Sequence, residues 1–470
     1  MLACYPLARS FFDLEIDYNE GWNGYLQLRA VAGEPLYSGM GPYWFNNYPP
    51  LSFYVVGLLG ELIGDPILAG RLLSLAGLAA CVVACGAAVR NVGGSREEAR
   101  LAAATALLLF TTFATDYLGM NDPQFLAMGL ATWALALHLG GPVDARRSAA
   151  AALLLGLSLL IKHNLVLLPL LVAANVMRRG NRPSRLAFFG TGLALAGVAL
   201  LVMLLREGSG SLDQILATRQ WSVDRAFLFT VEILGRFQAP LALVGIGLFA
   251  ARGTWPAPLI LAWLMLALTL GAYFSGGAGT DINLWFDVTL ALAVGAGLAL
   301  RELRTRGGTP ALQVALALAI NVGALFQAPL VLGRMGVDLT GDLAERERQS
   351  AADVAWLRVR PGAALCESQW LCLRAGKPMF WDSFNANQAM QTGRLRGDTL
   401  TAMLRRREVP MVVVSSTPQH SPDELPGQSM PARFVNFEDD ALLALEQNYQ
   451  MVRSGPSGRF YQPKGPTPST

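Results

Sequence analysis

Long apolar runs alternate with short polar connections from residue 68 to about residue 329. Most approach the roughly 20 helical residues needed to cross a hydrocarbon core about 30 Å thick. The pattern therefore predicts a polytopic α-helical membrane protein with about ten visible spans. We place these spans at about 68–89, 101–118, 124–140, 150–161, 165–176, 186–205, 239–251, 256–274, 286–300 and 311–328.

The composition agrees with this class, because only 15% of the 470 residues are charged and 53% are hydrophobic. Soluble domains carry about 25% charged residues. The formal net charge of +3 comes from short clusters in the connections rather than from a basic stripe, so no nucleic-acid partner is expected. The expected surroundings are a lipid bilayer.

Basic residues alternate between the two ends of the predicted spans. Clusters at 90–100, 146–147, 178–185, 252 and 301–306 mark one side, which the positive-inside rule makes cytoplasmic. The other side receives the acidic opening, the loop 206–237 and the tail. We therefore predict a multi-pass membrane protein whose basic connections face the cytoplasm.

The start of the chain needs its own interpretation. Only twelve residues precede the first outer loop, which spans 13–67, and twelve residues cannot cross a bilayer. We expect that a preceding helix is truncated. The apolar segment 54–63 is also too short to span and predicts an interfacial helix on the outer face.

The composition changes near residue 334, so we divide the chain into a transmembrane domain, 1–333, and a small extracytoplasmic α/β domain, 334–470. The tail predicts helices at 343–357 and 398–406, strands at 363–367 and 410–416, and a closing hairpin around 455–458. Cys366 and Cys372 lie in this tail and can pair if it is outside the cytoplasm. Cys4, Cys81 and Cys85 lie in apolar stretches and are interpreted as small hydrophobic residues.

Polar residues gather on the predicted outer face. Asp17 and Glu20 are three residues apart and would share a face of a helical turn. Two such carboxylates can act as a base and its partner or, with Asp122, as oxygen ligands of a divalent cation. The sequence permits a cation without requiring one, and the cofactor is unknown. The alternative for Asp17 and Glu20 is a solvated loop.

Other segments bring further polar groups to the same face. Asp122 precedes Pro123, so it is a helix cap or a site residue. Lys162 interrupts an apolar run, and an ionisable group at membrane depth suggests function. Asn283 and Asp287 enter a later span from this side. An enzyme at one interface fits this co-location, whereas a transporter or flippase of a lipid-linked or anionic substrate remains the alternative.

The motifs "DYNEG", "YPPLSFY", "RLLS", "GLSLLIKHN" and "GTDINLWFD" resemble, in this order, those of membrane glycosyltransferases of the GT-C class. The resemblance covers about 11–300. It is strongest to the bacterial branch related to protein O-mannosyltransferases and lipid A aminoarabinose transferases. It implies an inverting transfer from a polyprenyl-phosphate sugar to a hydroxyl of a lipid, glycan or protein acceptor.

The resemblance also implies roles for individual residues. Asp17 would be the base, with Glu20 assisting it. Asp122 would be the second outer-loop acid, and Lys162 would hold the donor phosphate. Phosphate charge also needs balancing, for which Arg219 and Arg225 are candidates.

Three positions depart from the family pattern. Asn283 matches it, whereas Asp287 takes the place of a glutamate and Asp281 replaces an amide. The aminoarabinose transferases have a lysine before the Pro-Pro pair, where this chain has Tyr48, a candidate substrate-binding residue. The lysine's absence argues against lipid A as the specific acceptor.

Overall fold

The computed structural model describes residues 1–39, 41–415 and 436–465. Helices dominate it, as predicted. The α-helices before the C-terminal sheet are Cys4–Arg9, Asn19–Val31, Leu51–Ile63, Pro66–Asn91, Arg96–Phe113, Gln124–Leu139, Ala145–Ile161, Leu167–Arg179, Arg182–Glu207, Gly210–Ile215, Val223–Arg236, Gln238–Ala250, Ala257–Phe274, Phe286–Thr305, Pro310–Ile320, Val322–Val337 and Leu343–Arg358.

Local sequence explains where the long helices begin. Asp65 caps Pro66–Asn91, since its side chain accepts from the amides of Ile67 and Leu68. A capping box of Ser95 and Glu98 begins the next helix. These start signals agree with the predicted limits of the spans to within a few residues.

Among the described residues, five helices are long and apolar enough to cross a membrane, or six if a bent pair forms one span. The pair is Val223–Arg236 and Gln238–Ala250, which meet at 76°. The first of these helices and Gly210–Ile215 lie within 206–237, which the sequence pattern assigned to an outer loop. The total of ten spans stays a prediction.

The tail forms a small α/β unit. Its four-stranded sheet has the order Ala364–Cys366, Met411–Val414, Gly458–Pro463, Tyr449–Gly455. The first two strands are parallel, and the other pairings are antiparallel. Its helices are Gln369–Arg374, Ser383–Gln391, Thr399–Arg405 and Asp439–Asn448. The predicted strands and hairpin are present, and the proposed boundary at 333 falls inside Val322–Val337.

Cys366 and Cys372 form a disulfide, with their Cα atoms 5.9 Å apart. The pairing that the sequence left open is therefore present. It closes a loop that leads from the first strand of the sheet into Gln369–Arg374.

The C-terminal unit packs directly on the first outer loop. Trp22, Trp44 and Phe53 share one hydrophobic cluster with Trp370 and Phe460. Helix Gln369–Arg374 approaches Asn19–Val31 so closely that a Cβ on Gly21 would lie 2.0 Å from the Trp370 amide nitrogen. This shared core holds the small unit beside the acidic turn.

Candidate functional site

The acidic turn ends where helix Asn19–Val31 begins. The Asp17 side chain accepts a hydrogen bond of 3.0 Å from the Asn19 amide, and its carbonyl accepts one from the Glu20 amide. Asp17 therefore precedes the helix rather than sharing a helical face with Glu20. The two carboxylates point to different surroundings.

Glu20 is fully buried in an ion pair with Arg71. Its carboxylate accepts from Arg71 Nε at 2.8 Å and from Arg71 Nη2 at 2.6 Å. It also accepts from the backbone amides of Ile16 and Asn121, at 2.8 and 2.9 Å. Four donors thus surround this carboxylate. This contact set differs from the predicted assisting role beside Asp17, because it is typical of a structural charge pair.

Asp17 remains open to a cavity. Burial raises its pKa from 3.8 to about 8, and the neighbouring charges of Asp281 and Glu15 add to the shift. Burial likewise raises the pKa of Glu15 to about 7, although a hydrogen bond from Ser368 opposes that change. Carboxyl groups with pKa values near neutrality are suited to accepting and releasing a proton at physiological pH.

Two spaces flank the acidic turn. One is a cavity of about 490 Å³, whose lining includes the acidic residues Glu15, Asp17 and Asp281 and the arginines Arg9, Arg236, Arg334 and Arg346. The other is a narrower cleft with about 40 Å³ of free space. Its lining residues are Tyr18, Asn19, Trp22, Asn47, Tyr48, Tyr117, Arg219, Gly279, Asn283, Glu367, Gln369, Asp382, Ser383, Phe384, Asn385 and Asn436. Tyr117 lines both spaces. The consecutive residues Asp17 and Tyr18 therefore line two different spaces.

Lys162 and Asp122 form a second buried ion pair. The Lys162 ammonium lies 3.0 Å from one carboxylate oxygen of Asp122 and 3.3 Å from the other. It also lies 5.0 Å from the centre of the Tyr48 ring. Asp122 additionally accepts from the Gln124 amide, a contact typical of the helix-cap interpretation, whereas its role as a site residue stays a prediction. Lys162 does not line the cleft itself, but it contacts Tyr48, which does.

The remaining candidates separate into two groups. Arg219 and Asn283 line the cleft, and Arg219 donates to the Asn385 side chain at 3.0 Å. Arg225 is buried and donates to the Thr280 carbonyl at 2.7 Å. Asp287 accepts from the Trp263 indole at 2.8 Å. Neither of these two belongs to the lining of the cavity or the cleft.

The predicted cation triad does not assemble. Within 1–39, 41–415 and 436–465, no three His, Cys, Asp or Glu residues are grouped to hold a metal ion. Glu20 faces Arg71, and Asp122 faces Lys162, so two of the three proposed carboxylates have cationic partners instead.

Sequence reasoning missed several residues of the site. Arg71 could have been found, because a buried arginine one turn into an apolar helix is a charge at membrane depth. Glu367 and Asp382 had no comparable signal, since charged residues are ordinary in the tail. Glu15 was interpreted as a loop acid, yet it lines the cavity and accepts from Ser368 at 2.7 Å.

No family model matches this chain, and no curated protein matches it by sequence. Solved structures do match. ArnT of Cupriavidus metallidurans bound to undecaprenyl phosphate is 16% identical, with a TM-score of 0.63 over 98% of this chain and 97% of that one. ArnT in the apo state is 18% identical, with a TM-score of 0.62 over 98% and 96% of the two chains.

The chain has the GT-C glycosyltransferase fold.

Two further structures with the GT-C fold agree. The apo oligosaccharyltransferase of Archaeoglobus fulgidus is 11% identical, with a TM-score of 0.51 over 88% of this chain and 68% of that chain. The mycobacterial arabinofuranosyltransferase AftD is 16% identical, with a TM-score of 0.50 over 99% and 41%. The resemblance inferred from the motifs is therefore confirmed at the level of the GT-C fold.

Proposed function

We propose that this protein transfers a sugar from a polyprenyl-phosphate donor to a hydroxyl acceptor, with inversion, at the outer face of the cytoplasmic membrane. The observation that supports this most is the acidic turn between two spaces. Asp17 lines the larger cavity, whereas Tyr18 lines the cleft. An inverting displacement needs donor and acceptor on opposite sides of the anomeric carbon, and two separate spaces beside the acidic turn support such an arrangement.

In this proposal the donor phosphate occupies the cleft side and the acceptor occupies the cavity of about 490 Å³. Arg219 lines the cleft and would contact the phosphate directly. Lys162 would add positive potential from behind the Tyr48 ring, 5.0 Å away. Preorganised cations of this kind stabilise charge that develops on a leaving group.

In this displacement one bond forms and one bond breaks at the anomeric carbon. The acceptor oxygen bonds to the anomeric carbon, and its proton passes to the ionised Asp17 carboxylate. The bond between that carbon and the phosphate oxygen breaks, and its electron pair leaves with the polyprenyl phosphate. Asp17 is the catalytic residue here, and Glu20 positions the turn through Arg71.

The structure of ArnT bound to undecaprenyl phosphate supports a lipid-phosphate partner, because it has the same fold over nearly the whole chain. The sugar and acceptor are left to experiment. Comparing lipid extracts from membranes with and without the gene, by mass spectrometry, should reveal an accumulated polyprenyl-phosphate sugar when the gene is absent.

The direct test uses purified protein in nanodiscs, a panel of undecaprenyl-phosphate monosaccharides and a membrane acceptor extract. We expect Asp17→Asn to reduce transfer by at least a hundredfold, since general-base catalysis contributes about 10²–10⁴-fold. The matched control is Asp13→Asn, because Asp13 lies in the same loop but pairs at its surface with Arg374. Equal transfer by wild type and Asp17→Asn would refute Asp17 as the base. Movement of the lipid across the bilayer without sugar transfer would favour a flippase.

A further inference from the structure

The C-terminal unit forms one wall of the cleft. It contributes Glu367, Gln369, Asp382 and Asn385. The opposite wall is largely aromatic and includes Trp22, Tyr18 and Tyr48. The sequence motifs that pointed to a donor site lie entirely outside this polar wall.

The disulfide-closed loop brings part of this wall to the acidic turn. Cys366 and Cys372 bracket Glu367, Ser368 and Gln369. Ser368 donates to Glu15 at 2.7 Å, so the loop and the turn contact each other directly. Glu367 and Gln369 thus line the cleft, while Ser368 between them contacts the acidic turn.

Glu367 is buried, and among the described residues its hydrogen-bond donors are uncharged groups. It accepts from the Ser415 amide at 2.8 Å and from the Asn436 side chain at 3.1 Å. Burial raises the pKa of this carboxyl group, and these hydrogen bonds oppose that change. A carboxylate with two oxygens has capacity for further donors beyond these two.

Asp382 is held in a defined orientation at the other end of the polar wall. It accepts from the Trp22 indole at 3.1 Å, and from the amide and side chain of Asn385 at 3.0 and 2.8 Å. Asn385 in turn accepts from Arg219 at 3.0 Å. The proposed phosphate-binding arginine and this carboxylate are therefore joined through one amide side chain.

We propose that Glu367 and Asp382 bind hydroxyl groups of the donor's sugar, which makes the C-terminal unit the sugar-selecting half of the site. This inference rests on the proposed function. Carboxylates accept hydrogen bonds from hydroxyl groups, while the aromatic wall offers apolar surface to the ring. Two carboxylates disfavour a uronic acid, so the substrate class is a sugar without a carboxylate and with at least two free hydroxyl groups.

The free space of about 40 Å³ is smaller than a monosaccharide, so side chains of the two walls must separate when the sugar enters. The aromatic wall belongs to the packed outer-loop cluster, where Trp22 contacts Tyr48 edge-on at 5.2 Å. The choice of sugar then depends on whether its hydroxyl groups can take the place of the water molecules that hydrate the two carboxylates. A site that hydrogen-bonds a hydroxyl strongly rejects an analogue without it.

The test measures binding and transfer separately, using wild type, Glu367→Gln and Asp382→Asn in nanodiscs. Probes are sugar-free undecaprenyl phosphate and undecaprenyl phosphate bearing a neutral hexose, a pentose or a uronic acid. We expect wild type to bind at least one neutral-sugar lipid more tightly than the sugar-free lipid. Glu367→Gln should reduce that preference on the order of tenfold, because the charged acceptor of the hydrogen bond becomes a neutral one. Binding of the sugar-free lipid should change less than twofold.

Glu408→Gln is the matched control, since Glu408 lies in the same unit and pairs at the surface with Arg406. Wild type that binds sugar-bearing and sugar-free lipids equally would overturn the proposal. The proposal would also be overturned if both variants lost affinity for the sugar-free lipid as much as for the sugar-bearing lipid. If the sugar preference and its loss are both observed but no transfer occurs with any acceptor, the sugar site stands and the proposed function fails.

Discussion

The Glu20–Arg71 pair allows a sharp distinction between a positioning carboxylate and a reacting one. Replacing Glu20 with Gln preserves the shape but puts an NH₂ group among four donors. Whichever way that amide turns, its NH₂ group faces one Arg71 nitrogen and one backbone N–H. Arg71 then stays 2% exposed without its carboxylate. Breaking one side of a buried pair costs about 3–5 kcal/mol, so we expect strong destabilisation.

The assay is thermal unfolding of purified protein in nanodiscs, with transfer measured on the fraction that remains folded. Glu20→Gln should lower the unfolding temperature clearly. Adding Arg71→Met should restore part of the loss, because the orphaned charge is then removed. Glu34→Gln is the control, since Glu34 pairs with Arg29 at the surface and should have a small effect. Unchanged unfolding together with a large fall in turnover would refute our reasoning and make Glu20 a reacting group.

Three other predictions concern pH, the second buried pair and the disulfide. Because burial raises the pKa of Asp17 to about 8, transfer should increase as pH rises through 8, whereas a base with the ordinary value of 3.8 would give a flat profile above pH 6. Lys162→Met should weaken both donor use and stability. The double variant with Asp122→Asn should recover stability but not donor use. Recovery of donor use in the double variant would contradict a role for the Lys162 charge. Reduction of Cys366–Cys372, whose residues are six positions apart, should lower stability by roughly 2 kcal/mol in unfolding measurements, and no shift would contradict this.

The sequence was most informative about features that depend on neighbouring residues. The apolar segments and the hairpin near Gly455 were predicted because each depends on residues that are close together along the chain. The fold class followed from them. The number of spans is harder to infer, since short helices such as Gln238–Ala250 lie at the limit of the length criterion.

The candidate site was predictable only in part. Asp17, Asp122 and Lys162 were identified because charge is unusual in such an apolar chain. Their partners were not, and the sequence placed Glu20 beside Asp17 although its partner is Arg71, 51 residues away. Spacing along a helix indicates which side chains share a face, but it does not indicate which distant residue will donate a hydrogen bond to a carboxylate in the folded protein.

By itself, the sequence determined that this chain is an α-helical membrane protein with a small α/β tail, and it predicted a cluster of polar residues at one end of the helices. Tertiary structure alone decided how the carboxylates divide between ion pairs and open space, and that the tail supplies a wall of the cleft. Ser368 meets Glu15 across 353 residues. The physical reason is that the hydropathy of a segment depends only on neighbouring residues. The burial and pairing of a charged side chain depend instead on which remote segments pack around it and exclude water.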